Sequence, residues 1–204
     1  MNRNSATNTK RGAPDMAKLG ETAFDQNDKV SAEFFALSYG ALVRQLIDQL
    51  PQDEDVNSVN QQLEMIGQRI GARLVEEYSV RSGGPPCKTF TDCAESVTKI
   101  GLKMFLNVNA TVSAVKDSAD TFSIRFHDNP LNIFVELPPE KNMRERLWYS
   151  NVLCGVLKGA LGLVGYQTDV HFMKDTLRGD PVNEITLRFI GKERETFVVD
   201  REGR

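Results

Sequence analysis

The cysteines of this sequence are its best candidates for covalent chemistry. Cys87 follows residues 81–86, RSGGPP, whose glycines and prolines predict a loop, and a helix is predicted directly after it. A thiol in such a loop can be exposed, and the nearby helix start favours its thiolate. Cys87 is therefore the candidate nucleophile, although an ordinary loop cysteine is the interpretation that the residues alone favour.

The other residues capable of chemistry have simpler interpretations. Cys93 and Cys154 fall on predicted helix faces, where a cysteine acts as a small hydrophobic residue. His127 and His171 lie in predicted strands with no ligand at metal-binding spacing, so we expect no metal site. His127 could act as a base for Cys87 if the fold joined them, but a surface histidine is the favoured interpretation.

The amino-acid composition limits the number of domains, the partners and the cellular compartment that we expect for this chain. A chain of 204 residues with 40% hydrophobic residues can bury the core of one domain. The net charge of −3 leaves no basic excess, so we expect no nucleic acid partner. The odd count of 3 cysteines argues against a disulfide framework and for the cytosol. Residues 1–4 lack the apolar run of a signal peptide, so we expect no export.

The elements that must position Cys87 begin with a helix over residues 31–50, capped by Ser31. Its apolar stripe is broad, because Phe34, Leu37 and Ala41 lie beside the main row of apolar residues. A helix with so wide a stripe is either wholly internal or pressed against another chain. The apolar residues within residues 1–30 show no helical or strand periodicity, so we expect a disordered tail there.

Three further helices are predicted. One spans residues 56–78, and one follows the loop, with Asp92 and Glu95 resembling a capping pair. The third spans residues 147–164, and it is too short and too polar for a membrane span. We interpret its glycines as sites of close helix packing, namely Gly155, Gly159 and Gly162.

Alternating apolar residues predict two β-hairpins, at residues 108–126 and 166–189. Blocks of helices beside paired strands favour an α+β fold, with helices packed on one face of a small antiparallel sheet. We therefore predict a single α+β domain over residues 31–190. Residues 191–204 are predicted to be a plain C-terminal tail, with a short docking segment at Phe197-Val198-Val199 as the alternative.

Five ordered segments together resemble the third-subunit family of the transport protein particle, the TRAPP vesicle-tethering complex. They are FALSYGALV at 35–43, DEDVN at 53–57, NPL at 129–131 with FVELP at 134–138, YSNVLCGVLKGAL at 149–161 and KDTLRGD at 174–180. The resemblance covers about residues 31–190. Five long segments in order are far more specific than any single motif.

The resemblance implies an α+β domain that dimerises through its N-terminal helices, here at Phe34, Leu37 and Ala41. It also implies an S-palmitoyl group on Cys87, threaded into an apolar channel. That covalent palmitate would be the only attached group, without a further cofactor. The implied channel-lining residues are Val97, Gly101 and Met104.

The resemblance further implies a non-catalytic core subunit acting in ER-to-Golgi transport, not an enzyme. Its implied partners are paralogous small TRAPP subunits, and an early-secretory Rab GTPase for which the assembly provides a nucleotide-exchange surface. The implied location is cytoplasmic and peripheral at the cis-Golgi and endoplasmic reticulum, where contact with the membranes would be peripheral.

Two departures from the family pattern concern the channel and the second helix. Pro86 replaces the basic residue that precedes the family's cysteine, and residues 58–60 look like a short insertion. The alternative function is a free-standing lipid carrier or acyl-thioester enzyme that uses Cys87. Against it, no base or oxyanion element can be placed from the sequence.

Overall fold

The computed structural model describes residues 15–51, 55–116, 118, 120–138 and 141–192. Of the predicted tails, residues 1–14 and 193–204, including Phe197-Val198-Val199, lie outside these ranges, whereas residues 191 and 192 belong to the last strand. The helices are α1 (Met16–Gln26), α2 (Ala32–Asp48), α3 (Asn57–Arg81), α4 (Phe90–Ser96), a π-helix (Val97–Gly101), α5 (Leu102–Leu106), α6 (Lys141–Arg146) and α7 (Val152–Leu163). The strands are β1 (Ala110–Ala114), β2 (Thr121–Phe126), β3 (Tyr166–Lys174) and β4 (Asn183–Lys192).

The prediction of a disordered tail is wrong for residues 16–26, which form α1. Asp15 caps this helix by accepting hydrogen bonds from the amides of Ala17 and Lys18. A Cβ on Gly20 would lie 2.5 Å from the carbonyl oxygen of Lys99, so α1 packs directly on the backbone of the π-helix. Its buried residues are a glycine and an alanine, and such small residues give a weak periodic signal.

Helix α2 begins as predicted, because the Ser31 hydroxyl accepts a hydrogen bond from the Phe34 amide at 3.1 Å. Its inner face buries Tyr39 and Val43 in the core. The Tyr39 hydroxyl also donates to the carbonyl of Tyr149, just before α7. The helix is thereby held to the centre of the domain on one side only.

Helices α3 and α7 run parallel and touch through their backbones. A Cβ on Gly155 or Gly159 would lie closer than 3.0 Å to the carbonyl oxygen of Glu64 or Gln68, respectively. The packing interpretation is confirmed for these two glycines, whereas Gly162 has no neighbour within 4 Å. In the part of the chain that the structure covers, no helix is both long and apolar enough to cross a bilayer.

The four strands form one antiparallel sheet in the order β1-β2-β4-β3. Both predicted hairpins are present, and β2 and β4 join them at the centre of the sheet. Tyr166, Val170 and Phe172 of β3 are buried on the face against which α7 packs. The predicted α+β fold is confirmed.

Candidate functional site

An apolar cavity of about 750 Å³ lies between α3, α7, the π-helix and the loop before α4. This volume falls within the ~300–1,000 Å³ typical of pockets that bury most of a small ligand. The walls are mainly aliphatic and aromatic side chains, including Ile70, Leu74, Leu102, Phe105, Leu153 and Leu157. Such a cavity suits a flexible hydrocarbon chain better than a polar ligand.

Cys87 lines this cavity and is exposed, and the start of α4 fixes its position. The amides of Lys88 and Thr89 donate to Asp92 Oδ2 at 3.0 and 2.9 Å, and the Asp92 amide donates to Thr89 Oγ1 at 3.1 Å. These bonds form a capping box that holds the preceding residue beside the helix. The thiol therefore stands at a defined place on the cavity wall.

The predicted capping pair of Asp92 and Glu95 is wrong. Thr89 is the N-cap, and Asp92 is the third helical residue, which closes the box from the other side. Glu95 instead pairs with Lys99 at 3.5 Å, one helical turn further on. In the sequence, both Thr89 with Asp92 and Asp92 with Glu95 have the spacing of a capping pair. In the structure the helix begins after Thr89, so the first of these pairs forms the cap.

Neutral hydrogen-bond donors activate Cys87. Cys93 donates to its sulfur and lowers the pKa of Cys87 to about 6; burial opposes this effect and the Ser96 hydroxyl adds to it. The same hydrogen bond, together with burial, raises the pKa of Cys93. The thiolate form of Cys87 is thus favoured, and Pro86 directly before it supplies no positive charge.

The π-helix decides which predicted residues face the cavity. Val97 and Gly101 line it, but the assignment of Met104 to this lining is wrong. Met104 is buried and lines a neighbouring cavity near α1. A π-helical turn contains an additional residue compared with an α-helical turn, so Phe105 takes the inward position that regular spacing gives to Met104.

Gly101 leaves space in the cavity wall. A Cβ built there would meet no atom within 4 Å, in contrast to the crowded glycines of α3 and α7. A larger side chain at this position would therefore project into the cavity without displacing the surrounding backbone.

The two histidines do not contribute to this site. His171 lies on the exposed β3 edge, with Nδ1 3.7 Å from Asp169 Oδ1, and neither it nor His127 lines the cavity. Within the part of the chain that the structure describes, no group of three or more histidine, cysteine or acidic side chains could hold a metal ion. Sequence reasoning missed the roles of Cys93 and Ser96, whose only signal was their position on the first turns after the loop.

A second feature is the outer face of α2. Phe34 and Leu37 are 69% and 60% exposed, and Ala41 is exposed on the same helix. Val30, directly before the helix, is also exposed. This apolar face, formed by Val30, Phe34, Leu37 and Ala41, lies opposite the side that packs on the core.

Comparison with known proteins relates this chain to one family. The family model described as "Transport protein particle (TRAPP) component" matches residues 35–188. Transport protein particle subunit bet3 of Schizosaccharomyces pombe is 43% identical over 171 residues, covering 84% of this chain and 90% of the relative. Trafficking protein particle complex subunit 3 of Dictyostelium discoideum is 44% identical over 170 residues, covering 83% and 89%.

A solved structure shares the fold. It is the trafficking protein particle complex subunit 3 of Naegleria fowleri, covalently bound to palmitic acid, with a TM-score of 0.76 and 40% sequence identity. The match covers 82% of this chain and 100% of that one. The sequence, the fold and the cavity agree, and this chain belongs to the transport protein particle (TRAPP) component family.

Proposed function

We propose that this chain is a non-catalytic core subunit of a TRAPP complex and carries a palmitoyl group on Cys87, with the acyl chain inside the cavity. The observation that carries the proposal is the exposed thiol of Cys87 on the wall of an apolar cavity. The palmitate bound covalently to the Naegleria relative supports the same chemistry here.

The acyl donor for this reaction is a long-chain acyl thioester. The Cys87 thiolate attacks the carbonyl carbon, a new thioester bond forms, and the thiolate of the donor leaves. The low pKa of Cys87 supplies the nucleophile without a separate base. The reaction occurs once per chain, so the subunit needs no turnover machinery.

The attached lipid acts as part of the core. Burial of hydrocarbon contributes up to ~0.8 kcal/mol per methylene, or about 10 kcal/mol for a palmitoyl chain. A chain held inside the protein cannot also insert into a bilayer. The acyl group therefore stabilises the subunit or its docking surfaces and does not anchor it to a membrane.

The exposed apolar face of α2 is the proposed dimer interface. Phe34, Leu37 and Ala41 would pack against the matching helices of a paralogous small TRAPP subunit or of a second copy. Aromatic and aliphatic residues that are exposed side by side on one helix are typical of the centre of such an interface.

Replacing Leu37 with glutamate should weaken this association about a hundredfold, roughly 3 kcal/mol, because an unpaired charge would be buried in the interface. Light scattering coupled to size-exclusion chromatography measures the change. Leu163→Glu on α7 is the matched control, since Leu163 is also 60% exposed. Two results would contradict the interface. One is a wild-type chain that stays monomeric both alone and when co-expressed with small TRAPP subunits. The other is that Leu37→Glu and Leu163→Glu weaken the association equally.

The wider role follows from the family resemblance. The assembled complex would provide an exchange surface for an early-secretory Rab GTPase, at the cytoplasmic face of the cis-Golgi and endoplasmic reticulum. Nucleotide exchange stabilises an empty GTPase and needs no general acid or base. The activity would thus belong to the assembly, to which this chain contributes surface.

Tagged copurification from the native cell tests the proposal, with the intact mass of the chain read before and after hydroxylamine, which cleaves thioesters. We expect several small TRAPP subunits in stoichiometric amounts and a hydroxylamine-sensitive mass of one palmitoyl group, which Cys87→Ser removes. A chain recovered alone would instead favour the lipid carrier or acyl-thioester enzyme. A chain without the acyl mass would refute the lipid at Cys87.

A further inference from the structure

Cys87 and Cys93 form a pair built by the turn between them. The bond of 3.0 Å from the Lys88 amide to Asp92 Oδ2 brings residues 88 and 92 together. Cys87 and Cys93 flank this closed turn, one directly before it and the other directly after it. Both residues line the same cavity, and each thiol shifts the pKa of the other, downward for Cys87 and upward for Cys93.

The two thiols differ in access. Cys87 is exposed at the cavity wall, whereas Cys93 is 2% exposed and is a small core residue of α4. A small oxidant therefore reaches the sulfur of Cys87 first, and the sulfur of Cys93 is its nearest reaction partner. An accessible cysteine beside a second cysteine is the arrangement of thiols that oxidise reversibly.

From this geometry we infer that Cys87 and Cys93 are a two-cysteine oxidation site, at which a peroxide converts the unacylated chain to an internal disulfide. No disulfide is required for the fold, and both cysteines are free in the structure. The inferred modification needs only the two side chains and an oxidant of the peroxide class.

The reaction balances in two steps. The Cys87 thiolate attacks one oxygen of hydrogen peroxide, a sulfenic acid forms, and hydroxide leaves. The Cys93 sulfur then attacks the Cys87 sulfur, the S–O bond breaks, and the departing hydroxyl takes the Cys93 proton as water. Two thiols and one hydrogen peroxide give one disulfide and two waters.

The disulfide and the acyl thioester compete for the same sulfur. A chain already acylated at Cys87 cannot form the disulfide, and an oxidised chain cannot accept an acyl group. The disulfide itself does not depend on acylation, but this competition rests on the proposed function. Oxidation before acylation would thereby leave the cavity without its lipid until a thiol reductant restores Cys87.

The test uses the full chain, treated with hydroxylamine and a thiol reductant, desalted and then exposed to hydrogen peroxide. Trypsin cleaves after Lys88 and so separates Cys87 from Cys93. We expect a mass loss of two hydrogen atoms and a disulfide joining peptides 82–88 and 89–99. Cys93→Ser, whose hydroxyl can still donate to Cys87, should lose the linked peptide and accumulate sulfinic acid on Cys87, whereas Cys154→Ala should form the link normally.

The inference would be overturned if Cys87 of the wild-type chain gained oxygen without forming the disulfide to Cys93. A disulfide from Cys87 to Cys154 or to a second chain would also overturn it. A second measurement incubates the reduced and oxidised chains with palmitoyl coenzyme A. Uptake by the reduced chain alone supports competition, and equal uptake by both overturns it. If even the reduced chain takes up no acyl group, acylation at Cys87 fails while the peptide result still decides the disulfide.

Discussion

Gly159→Ala is expected to lower the free energy of unfolding by about 3 kcal/mol, at the upper end of the costs of overpacking. The added methyl group would overlap the backbone of Gln68 on α3, with its carbonyl oxygen and carbonyl carbon closer than 3.0 Å. Backbone atoms cannot rotate away as a side chain end can. The two helices must therefore separate, which exposes the apolar surface between them.

Urea denaturation of the chain under reducing conditions measures this loss. Gly162→Ala is the matched control, because it lies one turn further along α7 and has no neighbour within 4 Å. That variant should be unchanged or more stable by ~0.5–1 kcal/mol, since alanine favours the helix. Equal stability of the two variants would show that the close contact of α3 and α7 is wrong.

Gly101→Leu is expected to abolish the acyl group on Cys87 and leave the domain folded. The open space beside Gly101 belongs to the proposed acyl channel, and leucine would fill the path of the chain. No backbone atom opposes the new side chain, so the substitution blocks the cavity without the overlap expected at Gly159. Intact mass before and after hydroxylamine measures the outcome.

Two controls accompany this prediction. Gly101→Ala adds one methyl group to an open position and should retain the acylated mass. Cys87→Ser is the second control, because it also lacks the thioester. Gly101→Leu should be at least as stable as Cys87→Ser, because the leucine side chain buries part of the apolar wall. An acylated mass that persists in Gly101→Leu would refute the assignment of this cavity as the acyl channel.

The elements with strong local signals were predicted well. Ser31 caps α2 as expected, and both hairpins occur where apolar residues alternate. Helix α1 was missed because its buried residues, Gly20 and Ala23, are small. Small residues allow two backbones to pack closely, but they contribute little to hydrophobic periodicity. The misplacement of Met104 has a different cause, because regular helical spacing does not anticipate a π-helical turn.

The sequence by itself determined the fold class, the family and the identity of Cys87 as the candidate nucleophile, because these depend on local patterns and on ordered segments. Only the tertiary structure decided that a cavity lies beside Cys87, that β2 pairs with β4, and that Cys93 lowers the pKa of Cys87. Each of these depends on distances set by the packing of elements or by the geometry of a turn. Such distances arise from many weak contacts acting together, and no single stretch of residues encodes them.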